Sequence, residues 1–174
     1  FPFPMDNIHS RNLFVNYLRK KKFKNPVVVA PDAGAAKEAG RLARDLDFPL
    51  AVLTKERPRF NIAEVTSVVG DVEGKTCIIF DDMIDTGGSV CAAHEALIKQ
   101  GANKDIFLVA THPVFYGLAV EKMLKKGFKE VIVTDTIPVP KAKHFKGLTI
   151  LSVAPLLARV IRSVHEARSV TDVV

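Results

Sequence analysis

Cysteine is scarce in this chain. There are two in 174 residues, Cys77 and Cys91, with no Cys-x-x-Cys pair and no zinc-ligand spacing around them. That excludes a disulfide scaffold and a structural zinc site, and the expectation is two buried thiols in a reducing compartment. Long apolar runs are also missing. No stretch approaches the roughly 20 residues that a membrane-spanning helix needs. The first residues, Phe1-Pro2-Phe3-Pro4-Met5-Asp6, have neither the basic start nor the apolar core of a secretory leader. A cytoplasmic location with no membrane partner is therefore expected. The cations are not interleaved with aromatic rings. Lys and Arg number 25 against 19 Asp and Glu, a net charge of +6, but Arg19 to Lys22, Lys24, Lys141, Lys143 and Lys146 lack rings that could stack bases. They read as solvated faces, and no nucleic-acid partner is expected. There is no G-x-x-x-x-G-K-[ST] loop, no G-x-G-x-x-G fingerprint, no internal repeat and no linker.

What is present is the composition of one globular domain spanning 1–174. Hydrophobic residues make up 48%, enough to bury a substantial core. Short apolar runs at 27–30, 50–53, 76–80, 106–111, 130–134 and 149–153 read as strands, and the alternating stretch 63–69 reads as another. Helical spacing recurs after Ser10, over 35–46, 89–100 and 118–126, and from Pro155, where Leu156, Leu157, Val160, Ile161 and Val164 form the expected core stripe. His94 is expected on the outer face of its helix. Pro58 breaks a polar stretch, 55–61, that reads as a loop. Strands alternating with helices specify an α/β fold: a mainly parallel sheet with helices on both faces. In such sheets ligands bind beyond the carboxyl ends of the strands. Asp32, Lys55, Asp81 and His112 each follow a predicted strand there, so all four are expected on one rim.

The most informative segment is Asp81-Asp82-Met83-Ile84-Asp85-Thr86-Gly87-Gly88-Ser89. It joins an apolar strand to a helix. A helix N-terminus offers unpaired N–H groups and a positive dipole end, which suits a phosphate. Gly87 and Gly88 let the backbone curl round an anion, while Thr86 and Ser89 add hydroxyls. Asp81 and Asp82 would repel a phosphate; they suit sugar hydroxyls or a metal. The pattern fits a sugar phosphate. A capped strand-to-helix turn is the alternative, since Asp, Thr, Gly and Ser all favour turns for local reasons. Asp32 likewise reads either as a turn former or as a ligand. Lys55 and Arg57 read either as solvated cations or as anion contacts, and His112 as structural or catalytic.

The nonapeptide resembles the phosphoribosyl-pyrophosphate motif of the type I phosphoribosyltransferase-like fold. Further segments narrow the likeness: Val27 to Gly34, Lys55-Glu56-Arg57-Pro58-Arg59, Gly70 to Lys75, Ala110-Thr111-His112-Pro113, Val133 to Pro138 and Leu151 to Ala158. Together they resemble the C-terminal half of bacterial ribose-phosphate pyrophosphokinase. The resemblance implies an enzyme that moves the diphosphoryl group of ATP to the anomeric hydroxyl of ribose 5-phosphate, with Mg²⁺. It implies that Asp32 helps hold the metal and that Lys55 and Arg57 are catalytic. Asp81, Asp82, Asp85, Thr86, Gly87, Gly88 and Ser89 would bind ribose 5-phosphate. The family usually has Gly where this chain has Ala35, and a basic residue where it has Glu56. It also implies a second, N-terminal domain that this chain lacks, assembly into hexamers, and little turnover by this chain alone. The competing readings are a stand-alone phosphoribosyltransferase and a non-catalytic nucleotide-binding regulatory subunit.

Overall fold

A computed structural model describes residues 2, 5–56 and 65–171. Arg57, Pro58, Phe60 and Asn61 lie outside the described residues. Seven strands form one sheet: β1 (Pro26–Ala30), β2 (Leu50–Glu56), β3 (Val65–Val69), β4 (Thr76–Met83), β5 (Phe107–His112), β6 (Glu130–Thr134) and β7 (Leu148–Leu151). Their order is β3-β2-β1-β4-β5-β6-β7. All pairings are parallel except β2 with β3, which run antiparallel from Val52 opposite Val69 to Glu56 opposite Val65. The predicted mainly parallel α/β architecture is what forms.

The central strands are apolar on both faces because both faces are covered. Alternate residues divide between two cores. Val27, Val29, Cys77 and Ile79 point to one, beneath α3 (Gly88–Lys99) and α4 (Ala119–Lys126). Val28, Ala30, Ile78 and Phe80 point to the other, beneath α1 (Arg11–Leu18) and α2 (Ala36–Leu46). α2 ends at Asp47 in the left-handed conformation, with its N–H returned to Ala43 and Arg44. Both cysteines are buried free thiols, and burial pushes Cys77 up to about 12.

Several expectations need correction. Residues 55 and 56 are not loop: β2 runs on through Lys55, opposite Thr66, because β3 supplies an antiparallel partner over that whole length. His94 is buried rather than superficial, its ring edge-on to Phe128 at 4.8 Å, since α3 packs against α4 on that side. The last helix, α5 (Ala154–His165), buries Leu156 and Ser163, while Leu157, Ile161 and Val164 are exposed at 45%, 68% and 64%. Of its apolar stripe, Leu156 alone is buried. Lys21 leaves the solvated cluster to pair with Glu130 at 2.6 Å, its ammonium 4.7 Å from the Tyr17 ring centre. Among the described residues no helix is long and apolar enough to cross a membrane.

Candidate functional site

The rim at the carboxyl ends of β1, β4 and β5 carries a cavity of about 550 Å³. His9, Ser10, Asp32, Asp81, Asp82 and His112 are among its walls. Three of the four residues expected on this rim therefore meet. Lys55 lies on β2, one residue before its end and opposite Thr66 of the edge strand β3, and Arg57 is beyond the described residues.

β4 is buried from Thr76 to Phe80 and then emerges, so Asp81 is half-buried and Asp82 and Met83 are exposed. Asp81 accepts a hydrogen bond from the Asp82 N–H at 2.9 Å. Burial raises its pKa to about 6, and the nearby Asp82 and Asp32 charges add to that, against the pull of the Asp82 N–H. Asp32 caps its own turn: its Oδ1 accepts from the Ala35 N–H at 3.0 Å. Ala35 has φ −78° and ψ −13°, a conformation open to any residue, so Ala in place of Gly costs no backbone strain. Among the described residues no three His, Cys, Asp or Glu side chains form a metal cluster. Magnesium needs only one or two carboxylates alongside water and phosphate oxygens. The Asp32/Asp81/Asp82 group, with Asp81 pushed toward neutrality by burial and then by its acidic neighbours, has the hard oxygen donors that fit such a cation.

The loop expected to bind phosphate follows. Asp85, Thr86, Gly88 and Ser89 are exposed, whereas Gly87 is buried with φ +72°. A Cβ on Gly87 would sit 3.4 Å from the Ala119 carbonyl oxygen, an ordinary contact, so it is the left-handed conformation that favours glycine here. Gly88 opens α3, and its added Cβ would meet only the Thr86 hydroxyl, at 3.6 Å. Three successive carbonyls, those of Ile84, Asp85 and Thr86, accept hydrogen bonds from Phe115 N–H, Tyr116 N–H and the Lys122 ammonium at 2.9, 2.9 and 3.2 Å. The N–H groups of Asp85, Thr86 and Gly87 have no acceptor among the described residues. They adjoin the free N–H groups of the first turn of α3, giving a run of unpaired donors.

Sequence reasoning missed two contributors. The segment 7–11 walls the cavity and is pinned there by Ser10, whose Oγ lies 2.7 Å from Thr111 Oγ1 instead of capping α1. The segment 112–122 holds the phosphate loop from behind. Neither role is marked in the sequence, because each contact joins groups far apart in the chain: Ser10 to Thr111, and Phe115, Tyr116 and Lys122 to the carbonyls of residues 84–86. His112 is fixed by Thr136, with Nδ1 2.9 Å from its Oγ1.

Comparison with known proteins adds an independent line. A family model described as the phosphoribosyl synthetase-associated domain matches residues 53–174. A curated relative from Synechococcus elongatus, named ribose-phosphate pyrophosphokinase, is 45% identical over 174 residues, with 99% of this chain and 52% of the relative covered. A protein of the same name from Bacillus subtilis is 42% identical over 171 residues, 98% of this chain and 54% of that one. The chain thus spans about half the length of the curated relatives it matches. Among solved structures, phosphoribosylpyrophosphate synthetase from Mycobacterium smegmatis superposes with a TM-score of 0.83 at 42% identity, over 91% of this chain and 51% of that one. Adenine phosphoribosyltransferase from Leishmania donovani, at 18% identity and a TM-score of 0.56 over 86% of this chain and 75% of that one, shares the fold. The fold is that of the type I phosphoribosyltransferases, and the chain belongs to the phosphoribosyl synthetase-associated family.

Proposed function

We propose that this chain is the ribose 5-phosphate-binding domain of a ribose-phosphate diphosphokinase. The observation that carries this reading is a pair of carboxylates, Asp81 and Asp82, at the end of β4, followed four residues on by a run of N–H donors with no acceptor among the described residues. A sugar phosphate has hydroxyls at one end and an anion at the other, and it matches both. The names borne by the similar proteins support the same ligand.

Residues 85–89 hold the 5-phosphate through N–H groups and the Thr86 and Ser89 hydroxyls. Asp81 and Asp82 accept hydrogen bonds from the ribose hydroxyls and so orient the anomeric oxygen. That oxygen attacks the β-phosphorus of ATP, AMP leaves, and phosphoribosyl pyrophosphate forms. Charge gathers on phosphoryl oxygens during this transfer, and little covalent chemistry is asked of the protein. Lys55 and Arg57 are assigned the role of cationic stabilisers there, Arg57 being able to bind two oxygens together. Asp32 and the Asp81/Asp82 pair would help to hold a magnesium ion, which would supply charge neutralisation of the ATP phosphates. Adenine recognition is assigned to the part of the whole enzyme that this chain does not match, so the chain alone binds ribose 5-phosphate but forms little product.

Isothermal calorimetry with ribose 5-phosphate tests the reading directly. Binding at or below millimolar concentration is expected, because the donors come from one contiguous segment. Absence of heat at millimolar ligand overturns it. An AMP-release assay with ATP, Mg²⁺ and ribose 5-phosphate tests the second part: robust turnover by this chain would show a complete active site.

A further inference from the structure

We infer that Lys122, on α4, is a positioning residue for the phosphate loop and confers preference for a doubly charged phosphate; this rests on the ribose 5-phosphate reading above. The argument starts from the peptide unit. All described peptide bonds are trans, and in a trans unit the C=O and N–H point in opposite directions. Fixing a carbonyl therefore fixes where the next N–H points. The carbonyls of Ile84 and Asp85 are tied down by backbone N–H groups of Phe115 and Tyr116, both at 2.9 Å. The third, Thr86, has no backbone donor. It is held by the Lys122 Nζ at 3.2 Å. That tether turns the Gly87 N–H away from α4, toward the exposed side of the loop.

Gly87 has the least freedom to find this orientation unaided. It is a left-handed residue, and φ +72° is one of several conformations that glycine visits when unconstrained. Its close packing on Ala119, one turn before Lys122 on the same helix, fixes the Cα, while Lys122 fixes the peptide plane. The supporting segment is itself anchored, since Lys143 Nζ donates to the Phe115 carbonyl at 2.5 Å. Lys122 is also the only charged group among the three tethers. Its ammonium lies one carbonyl away from the proposed anion site. A cation at that distance stabilises a phosphate dianion more than a monoanion. The titration of a phosphate monoester near pH 6 provides the means to separate the two.

The test is calorimetry of inorganic phosphate and ribose 5-phosphate with the 174-residue chain as wild type, Lys122→Met and Lys122→Arg, at pH 5.5 and 7.5. Lys122 is exposed, so both variants should melt with the wild type. Lys122→Met is expected to weaken both ligands about tenfold at pH 7.5, the scale of a lost charge-assisted hydrogen bond. The loss should shrink to about threefold at pH 5.5, and Lys122→Arg should stay within about threefold of wild type at both. Equal affinities for wild type and Lys122→Met overturn the role. A loss of the same size at both pH values, or no rescue by Arg, overturns the charge preference. If the wild type itself binds neither ligand, the sugar-phosphate reading fails and Lys122 has nothing to position.

Discussion

Replacing Asp81 by Asn should stabilise the fold above pH 6 and make no difference below pH 4. Asp81 ordinarily would titrate at 3.8, but burial, with Asp82 and Asp32 beside it, raises it to about 6. The folded state therefore binds a proton more tightly than the unfolded chain. The penalty for keeping the group charged is fully present above about 6, and it disappears as pH falls through 3.8. A displacement from 3.8 to about 6 corresponds to about 3 kcal/mol on the charged form. The side chain is only partly buried, and solvent screens part of this, leaving about 1–2 kcal/mol. Asn keeps an oxygen to accept the Asp82 N–H, so no buried donor is orphaned. For a chain of this size the gain appears as a melting-temperature rise of about 2–8 °C. Urea unfolding of both proteins in EDTA at pH 4, 5, 6, 7 and 8 measures it. An Asn variant less stable at pH 8, or a gain that does not change with pH, would refute the electrostatic argument. Confirmation would mean that the acidic rim is held at a cost to stability, as expected where a site serves ligand binding.

The remaining predictions address other parts of the rim and core. Burial lowers the pKa of His94, and its Nε2 has no partner, so the folded state resists protonation and stability falls as pH drops below 6.5. His94→Phe should flatten that decline between pH 6.5 and 5, as read by urea midpoints, and an unchanged slope would remove His94 from the account. Gly87→Val should cost about 2–4 kcal/mol and abolish phosphate binding, because it combines a positive φ with a contact on Ala119. Gly88→Val should fold normally yet lose the anion, so calorimetry and melting will separate the two glycines. In the full-length enzyme, Lys55→Ala and Arg57→Ala should each lower AMP release by about 10²–10⁴ while leaving ribose 5-phosphate affinity unchanged, the scale of losing a charge stabiliser. Loss of affinity without loss of turnover would assign them to binding instead.

The sequence by itself determined the sheet, because strands buried on both faces are written as unbroken apolar runs, Val27 to Ala30 and Cys77 to Phe80. It also determined the contiguous order of acids, glycines and hydroxyls from Asp81 to Ser89, and so marked this segment as the candidate site. The tertiary structure alone decided what depends on distant partners. β2 extends through Lys55 only because β3 pairs with it, and periodicity cannot announce a hydrogen-bonding neighbour. An amphipathic pattern gives a helix an apolar side but not something to cover it, which is why Leu157, Ile161 and Val164 stand exposed while His94 is buried. The support of the phosphate loop by Phe115, Tyr116 and Lys122 runs through main-chain carbonyls some 30 residues away in sequence. Backbone groups are common to nearly every residue, so side-chain identity carries no record of which of them will meet.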